Sequence, residues 1–228
     1  MEDLKLRYSV EKEIEEYKLV YSKQNPLITV TMTTFNRCQT LLNYSLKSVL
    51  EQTYKNLEII VVGDRCTDDT EKEMAKITDS RVQFINLIDR PEYVTDEYLN
   101  WVSAGVYPFN LGLKKSTGDF LTHLDDDDSF VPERIEKLVK FTQEGKYDAV
   151  HHPFTLPPQT VNSVSWTIGQ VTTSALFFHG WFKNILGNPL CYELNEPGDW
   201  NRCRSILELG VSIGRYPELL TYKMKSRR

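Results

Sequence analysis

Leu57-Glu58-Ile59-Ile60-Val61-Val62 is an almost unbroken apolar run that ends in Gly63-Asp64. A strand covered on one face alternates apolar and polar residues, whereas a run of this kind belongs to a strand covered on both. Upstream, Leu27 to Thr34 is a second β-rich run, and residues 39–52 between the two carry Leu42, Leu46, Val49 and Leu50 at helical spacing. Downstream, Thr67-Asp68-Asp69-Thr70 caps a helix reaching Ile77, and Val82 to Asn86 makes a third short strand. Residues 89–103 read as an irregular excursion over the sheet edge. A helix from Asn110 to Lys115 then leads through Gly118 into a strand from Asp119 to Leu124. Strand and helix alternating with short links predict an α/β fold, a mainly parallel sheet with helices on both faces.

The rest of the chain is more varied. Pro132 suits the first turn of a helix through Thr142, and Tyr147 to His151 is another strand. Two stretches, Val161 to Ile168 and Val171 to Phe178, form a small antiparallel part; an irregular loop after Gly187, a helix from Gly198 to Leu209 and a strand from Val211 to Tyr216 follow. Residues 1–25 read as a helix and linker, with Val10, Ile14, Tyr17 and Tyr21 on one stripe that packs on the domain or on a second copy in a homodimer. Residues 26–228 form one domain, with a nucleotide-binding half (26–130) and an acceptor-side half (131–228).

The chain of 228 residues carries a net charge of −5, which argues against a nucleic-acid partner because phosphate neutralisation needs a basic surface. Cys38, Cys66, Cys191 and Cys203 are scattered with no metal-ligand spacing, and the N-terminal segment lacks a leader pattern. Reduced thiols and a cytoplasmic location are expected. No apolar run approaches the roughly 20 residues of a membrane-spanning helix. The basic tail Lys223-Met-Lys-Ser-Arg-Arg228 is either solvated or a peripheral contact with anionic lipid at the inner face of the membrane.

Open α/β sheets bind ligands at the carboxyl ends of their strands. Three such places carry polar residues: Thr33 to Arg37, Asp64, and the run Asp125-Asp126-Asp127-Asp128. Adjacent carboxylates repel one another unless solvent or a cation relieves them, and their hard oxygens suit Mg²⁺ or Mn²⁺. In an extended chain Asp125 and Asp127 point one way and Asp126 and Asp128 the other. One alternate pair is then the metal candidate, while its neighbours bond a ribose or cap the next helix. The competing reading is an acidic helix N-terminus favoured by the helix dipole. An EF-hand loop is excluded by the missing glycine, and neither G-x-G-x-x-G, nor a Walker A sequence, nor a G-x-S-x-G elbow is present.

The segment Ile28-Thr-Val-Thr-Met-Thr-Thr-Phe-Asn-Arg37 resembles the opening strand and loop of inverting family 2 glycosyltransferases of the GT-A fold. Leu46 to Asp64, Asn110-Leu-Gly-Leu113, Gly118 to Asp128, Pro132-Glu-Arg134 and Glu196-Pro-Gly-Asp-Trp200 continue the likeness in the same order, over residues 27–222. The resemblance implies a nucleotide-sugar donor, a UDP-sugar by default, and a saccharide or lipid-linked acceptor in cell-surface polysaccharide synthesis. It implies that Thr33 and Phe35 hold the nucleoside, with Arg37 and Asn110 beside the donor. Asp64 accepts a hydrogen bond from the base, and Asp126 meets the ribose. Asp127 holds Mn²⁺ or Mg²⁺, with Asp125 a second candidate at the donor or the metal and His179 a further one. Asp199 is the implied general base, although by itself it reads as a helix cap.

The sequence departs from the family pattern at Thr33 (Pro is frequent there), Phe35 (Tyr) and Gly63 (an acidic residue). A basic residue that often precedes the Asn110 region has no match at Ala104 or Phe109, which leaves Lys114, Arg37 or Arg90 to touch the diphosphate. His123 reads as a core residue, His151 and His152 as structural. Two alternatives remain. A nucleotidyltransferase lacks its Gly-rich triphosphate loop here, and an inactive nucleotide-sugar-binding module is opposed by the joint presence of Asp64, Asp127 and Asp199.

Overall fold

The computed structural model describes residues 1–224. In chain order the strands are β1 (Ile28–Thr34), β2 (Leu57–Asp64), β3 (Val82–Leu87), β4 (Phe120–Asp125), β5 (Asp128–Phe130), β6 (Ala149–His151), β7 (Phe154–Leu156), β8 (Gln159–Val161), β9 (Leu176–His179), β10 (Ile213–Arg215) and β11 (Thr221–Lys223). The helices are α1 (Glu2–Glu11), α2 (Glu15–Leu19), α3 (38–50, with one wide turn at Leu41–Leu46), α4 (Thr70–Met74), α5 (Glu97–Ser103), α6 (Val106–Lys115), α7 (Arg134–Gly145) and α8 (Gly198–Leu207).

A seven-stranded sheet runs in the order β10-β6-β9-β4-β1-β2-β3, and a four-stranded sheet in the order β5-β11-β7-β8. β4, β1, β2 and β3 are parallel, as the apolar run at Leu57 implied, while β9 lies antiparallel between β4 and β6. Ile28, Val30 and Met32 are fully buried on one face of β1, among Leu41, Leu46 and Val49 of α3 and Ile135 and Leu138 of α7. Each such burial is worth about 1.5–3 kcal/mol. A second core on the opposite face gathers Leu113, Leu121, Phe178, Phe182, Cys203 and Ile206.

The polar face of β1 is satisfied locally. Thr29 donates to Glu58 at 2.5 Å and accepts from the Gly118 amide, while Thr31 lies 3.0 Å from Nδ1 of His123. Gly112 lets α6 lie close against this strand, since a Cβ there would sit 3.3 Å from the Thr31 side chain. Helix α6 starts earlier than the sequence suggested, at Val106, after Gly105 turns with φ of +80°. The excursion before it ends in α5, whose first turn is capped by Asp96 accepting from the Leu99 amide.

Three expectations need correction. The N-terminal stripe does not face the core as one helix. The chain breaks between α1 and α2, Val10 and Ile14 are exposed, and Tyr8 and Tyr17 are buried. The reason is polar: Tyr8 and Tyr17 donate to the two carboxylate oxygens of Asp148 at 2.7 and 2.6 Å, and Tyr21 joins them at 3.3 Å. The antiparallel part is also displaced. Its hairpin is β7–β8, whereas Val164 and Ile168 lie exposed outside any strand, and of the second stretch only Leu176 to Phe178 is in a strand, β9. Finally, Lys223 is not part of a basic tail. It belongs to β11, beside Asp128 of β5. The lipid contact expected of the tail falls on residues 225–228, outside the described residues.

Candidate active site

β1 and β4 pair in register so that Thr33 lies beside Asp125. The chain turns at Asp126 and Asp127 before β5, so the four carboxylates do not alternate as they would in an extended strand. They divide instead into an outer and an inner pair. Asp126 accepts from Thr34 Oγ1 at 2.7 Å and from Arg37 at 3.3 Å, and Asp127 meets the same guanidinium at 2.6 Å. Asp125 and Asp128 converge on the Nζ of Lys223 at 3.2 and 2.5 Å.

Burial sets the protonation pattern. It pushes the Asp126 carboxyl up to about 6 against the pull of Thr34 and Arg37, and pushes Asp128 up to about 7, reinforced by Asp125. Desolvation would raise the carboxyl of Asp125, whose side chain is 36% exposed, yet Lys223 and His123 hold it well below the usual range. The Lys223 ammonium is likewise stabilised above its ordinary value, because the two carboxylates outweigh its desolvation.

A cleft of about 440 Å³ opens beside the outer pair, with Phe35, Arg37, Asp64, Arg90, Tyr93 and Asp126 in its walls. Asp64, at the end of β2, accepts from Arg90 Nε at 2.5 Å and from the Tyr93 hydroxyl at 2.9 Å. The Arg90 guanidinium lies 4.1 Å from the Tyr93 ring centroid. Phe35 is 57% exposed on the rim, free to receive a flat ring. Arg90 therefore stands at the Asp64 end of the cleft, and the basic residue in its wall that meets the Asp run is Arg37.

An adjoining cavity of about 250 Å³ shares Thr33, Ala104 and Gly105 with the cleft and is lined by Trp101, His123, Asp125 and Asp199. Asp199 opens α8, accepts from the Trp200 amide at 2.7 Å, and is raised above its ordinary value chiefly by burial. It does not cap the helix, whose N-cap is Pro197 with no side-chain cap bond, and its side chain faces the cavity. His123 is more than core: it lines this cavity, with Nε2 at 3.2 Å from Asp125 and its ring edge-to-face with Phe109.

The structure brings Thr33, Phe35, Arg37, Asp64, Asp125, Asp126 and Asp199 into these two adjoining spaces. Asp127 lines neither space and is joined to the cleft through Arg37, and two further candidates go elsewhere. His179 pairs with Phe120 at the start of β4, the opposite end of the strand from the Asp run, where it stacks on Tyr17 and meets the Tyr17 carbonyl at 3.0 Å. Asn110 spends its amide on Gly187, donating and accepting at 2.8 Å, and so ties a loop rather than reaching the cleft. Among the described residues no group of three His, Cys, Asp or Glu could hold a metal by itself.

The sequence profile of glycosyl transferase family 2 matches residues 29–194. The chain belongs to glycosyl transferase family 2. The GalNAc(5)-diNAcBac-PP-undecaprenol beta-1,3-glucosyltransferase of Campylobacter jejuni is 32% identical over 122 residues, 53% of this chain and 36% of that protein. The UDP-Glc:alpha-D-GlcNAc-diphosphoundecaprenol beta-1,3-glucosyltransferase WfaP of Escherichia coli is 31% identical over 120 residues, 53% of this chain and 43% of that one. The matches thus span less than half the length of these relatives. Staphylococcus aureus TarS 1–349 in complex with UDP superposes with a TM-score of 0.70 at 17% identity, over 88% of this chain and 61% of that one. The mannosyltransferase PcManGT of Pyrobaculum calidifontis, with GDP-Man and Mn²⁺, gives a TM-score of 0.62 at 16% identity, over 98% and 65%. The fold of this family 2 domain is GT-A, and no helix among its described residues is long and apolar enough to cross a membrane.

Proposed function

We propose that this family 2 domain transfers a sugar, with inversion, from a UDP-sugar to a hydroxyl of a saccharide or lipid-linked acceptor in cell-surface polysaccharide synthesis. The observation that carries the reading is the meeting of Asp199 and Asp125 in one cavity that adjoins the Phe35–Asp64 cleft. The cleft takes the nucleoside, with Phe35 under the base, Asp64 and Arg90 at its polar edge and Asp126 toward the ribose. The cavity takes the donor sugar and the attacking hydroxyl.

Asp199 removes the acceptor proton, a task that its burial-raised basicity favours. The freed oxygen forms a bond to the anomeric carbon while the bond from that carbon to the diphosphate breaks, and UDP leaves from the opposite face. The donor chemistry fits a hard divalent ion. Asp127 offers a partly exposed carboxylate whose partner is the exposed Arg37, and phosphate oxygens and water complete such sites. Asp127 would hold Mn²⁺ or Mg²⁺, and the ion would neutralise charge on the departing diphosphate.

The relatives named above act on undecaprenol-linked substrates, and one is named for UDP-Glc, which supports a lipid-linked acceptor and a uridine donor here. The reaction then belongs at the cytoplasmic face of a membrane. The test is UDP release from a panel of UDP-sugars with undecaprenyl-diphosphate-linked saccharides and Mn²⁺. Turnover should fall about 10²–10⁴-fold in Asp199→Asn, with UDP affinity retained. Undiminished turnover in that variant overturns the assignment of the base.

A further inference from the structure

We propose that Lys223 is an internal counter-ion that withholds Asp125 from the divalent cation and leaves Asp127 as the carboxylate that holds it. The inference rests on the metal-dependent donor site proposed above. Lys223 reaches the acidic run because β11 pairs antiparallel with β5 and sets it opposite Asp128. Its side chain is only 18% exposed.

An ammonium has three N–H donors. Those of Lys223 meet Asp128 Oδ2 at 2.5 Å, Asp125 Oδ2 at 3.2 Å and Thr172 Oγ1 at 3.4 Å, so none remains for a diphosphate. Asp125 is equally committed. Its Oδ2 also accepts from Ser174 at 3.3 Å, and its Oδ1 lies 3.2 Å from His123 Nε2. Asp127 differs. Among the described residues its carboxylate meets Arg37 alone, and that guanidinium is 46% exposed.

A cation that takes Asp127 displaces an arginine that can swing into water. One that takes Asp125 sets its charge beside an ammonium 3.2 Å from that carboxylate, only 18% exposed and held in place by Asp128, so the two cations repel. The run is therefore partitioned by the exposure of its partners, not by strand alternation. Lys223 is a positioning residue: it holds the inner pair still and directs the metal outward.

Mn²⁺ binding without nucleotide, followed by loss of the free-ion EPR signal, tests this. Lys223→Met keeps the stem and removes the charge. It should bind Mn²⁺ about tenfold tighter than the wild type, because a second carboxylate joins the ligand set, and Asp125→Asn in that background should cancel the gain. Lys223→Arg should behave as the wild type. In the otherwise unaltered chain Asp125→Asn should leave Mn²⁺ affinity unchanged while Asp127→Asn weakens it about tenfold, a comparison independent of how Lys223→Met folds. Asp125→Asn weakening Mn²⁺ as much as Asp127→Asn overturns the proposal, as does a folded Lys223→Met with no gain. Where only the UDP complex takes up Mn²⁺ the same comparisons are read on that complex, and a wild type that takes up none even with UDP overturns the metal-dependent donor site, and this proposal with it.

Discussion

Thr34, the last residue of β1, donates its hydroxyl to Asp126 at 2.7 Å and so ties the first strand to the turn that follows β4. This bond crosses from one strand end to the next at the point where a donor would lie. Thr34→Val keeps the shape and leaves a buried carboxylate short of one donor. It is expected to cost about 1–3 kcal/mol in urea unfolding. It should also weaken UDP, because Asp126 loses its fixed position; unaltered stability would show that the bond is not formed.

Phe35 separates binding from folding. Its ring is 57% exposed at the mouth of the cleft, so it adds little to the core. Phe35→Ala is expected to weaken UDP by about 1–3 kcal/mol, the value of a base stacked on an aromatic ring, with an unchanged melting temperature. Titration calorimetry and a thermal melt on the same sample check both halves.

Asp148 anchors the N-terminal segment. Burial alone would raise its carboxyl, but hydrogen bonds from Tyr17, Tyr8 and Ser212 outweigh burial and lower it. A carboxyl held lower in the folded state stabilises above its unfolded pKa, and that stability is lost as pH falls through the folded value. Asp148→Asn should therefore destabilise the protein at neutral pH by about 2–4 kcal/mol, the cost of breaking a buried charged network. The gap between variant and wild type should close on acidification below about pH 4. A gap independent of pH would mean that the carboxylate charge is not what the tyrosines stabilise.

Asp199 should govern the acid limb of the pH–rate profile. The base works only when ionised, and burial raises its carboxyl. Activity should thus be lost as pH falls through a value above the ordinary carboxylate range of about 4. A limb at or below that range would point to an unburied base.

Much of the frame was legible because its signals are local. Leu57 to Val62 is continuous and apolar, and its strand is buried on both faces of a parallel sheet as such runs require. The stretch Val161 to Ile168 looks strand-like, but only Val161 pairs, with Phe154 of β7, and Val164 and Ile168 beyond it are exposed. What the sequence hid is long-range. Tyr17 turns from the helical stripe to Asp148, more than a hundred positions away, and Tyr8, outside that stripe, meets it there. Lys223 looked like tail because its strand is three residues long and exists only through pairing with β5 and β7. The placing of Asp199 came from family likeness; spacing alone offered a helix cap. His179 misled because it ends a strand, but at the far end of the sheet from the ligand-binding edge.

The most direct test of the donor site is calorimetric titration of UDP into the wild type and into Asp127→Asn, each with and without Mn²⁺. The expected result is binding by the wild type that depends on Mn²⁺ and falls by about tenfold or more in Asp127→Asn. Equal binding by both proteins with and without the metal, or no binding of UDP at all, would contradict the account.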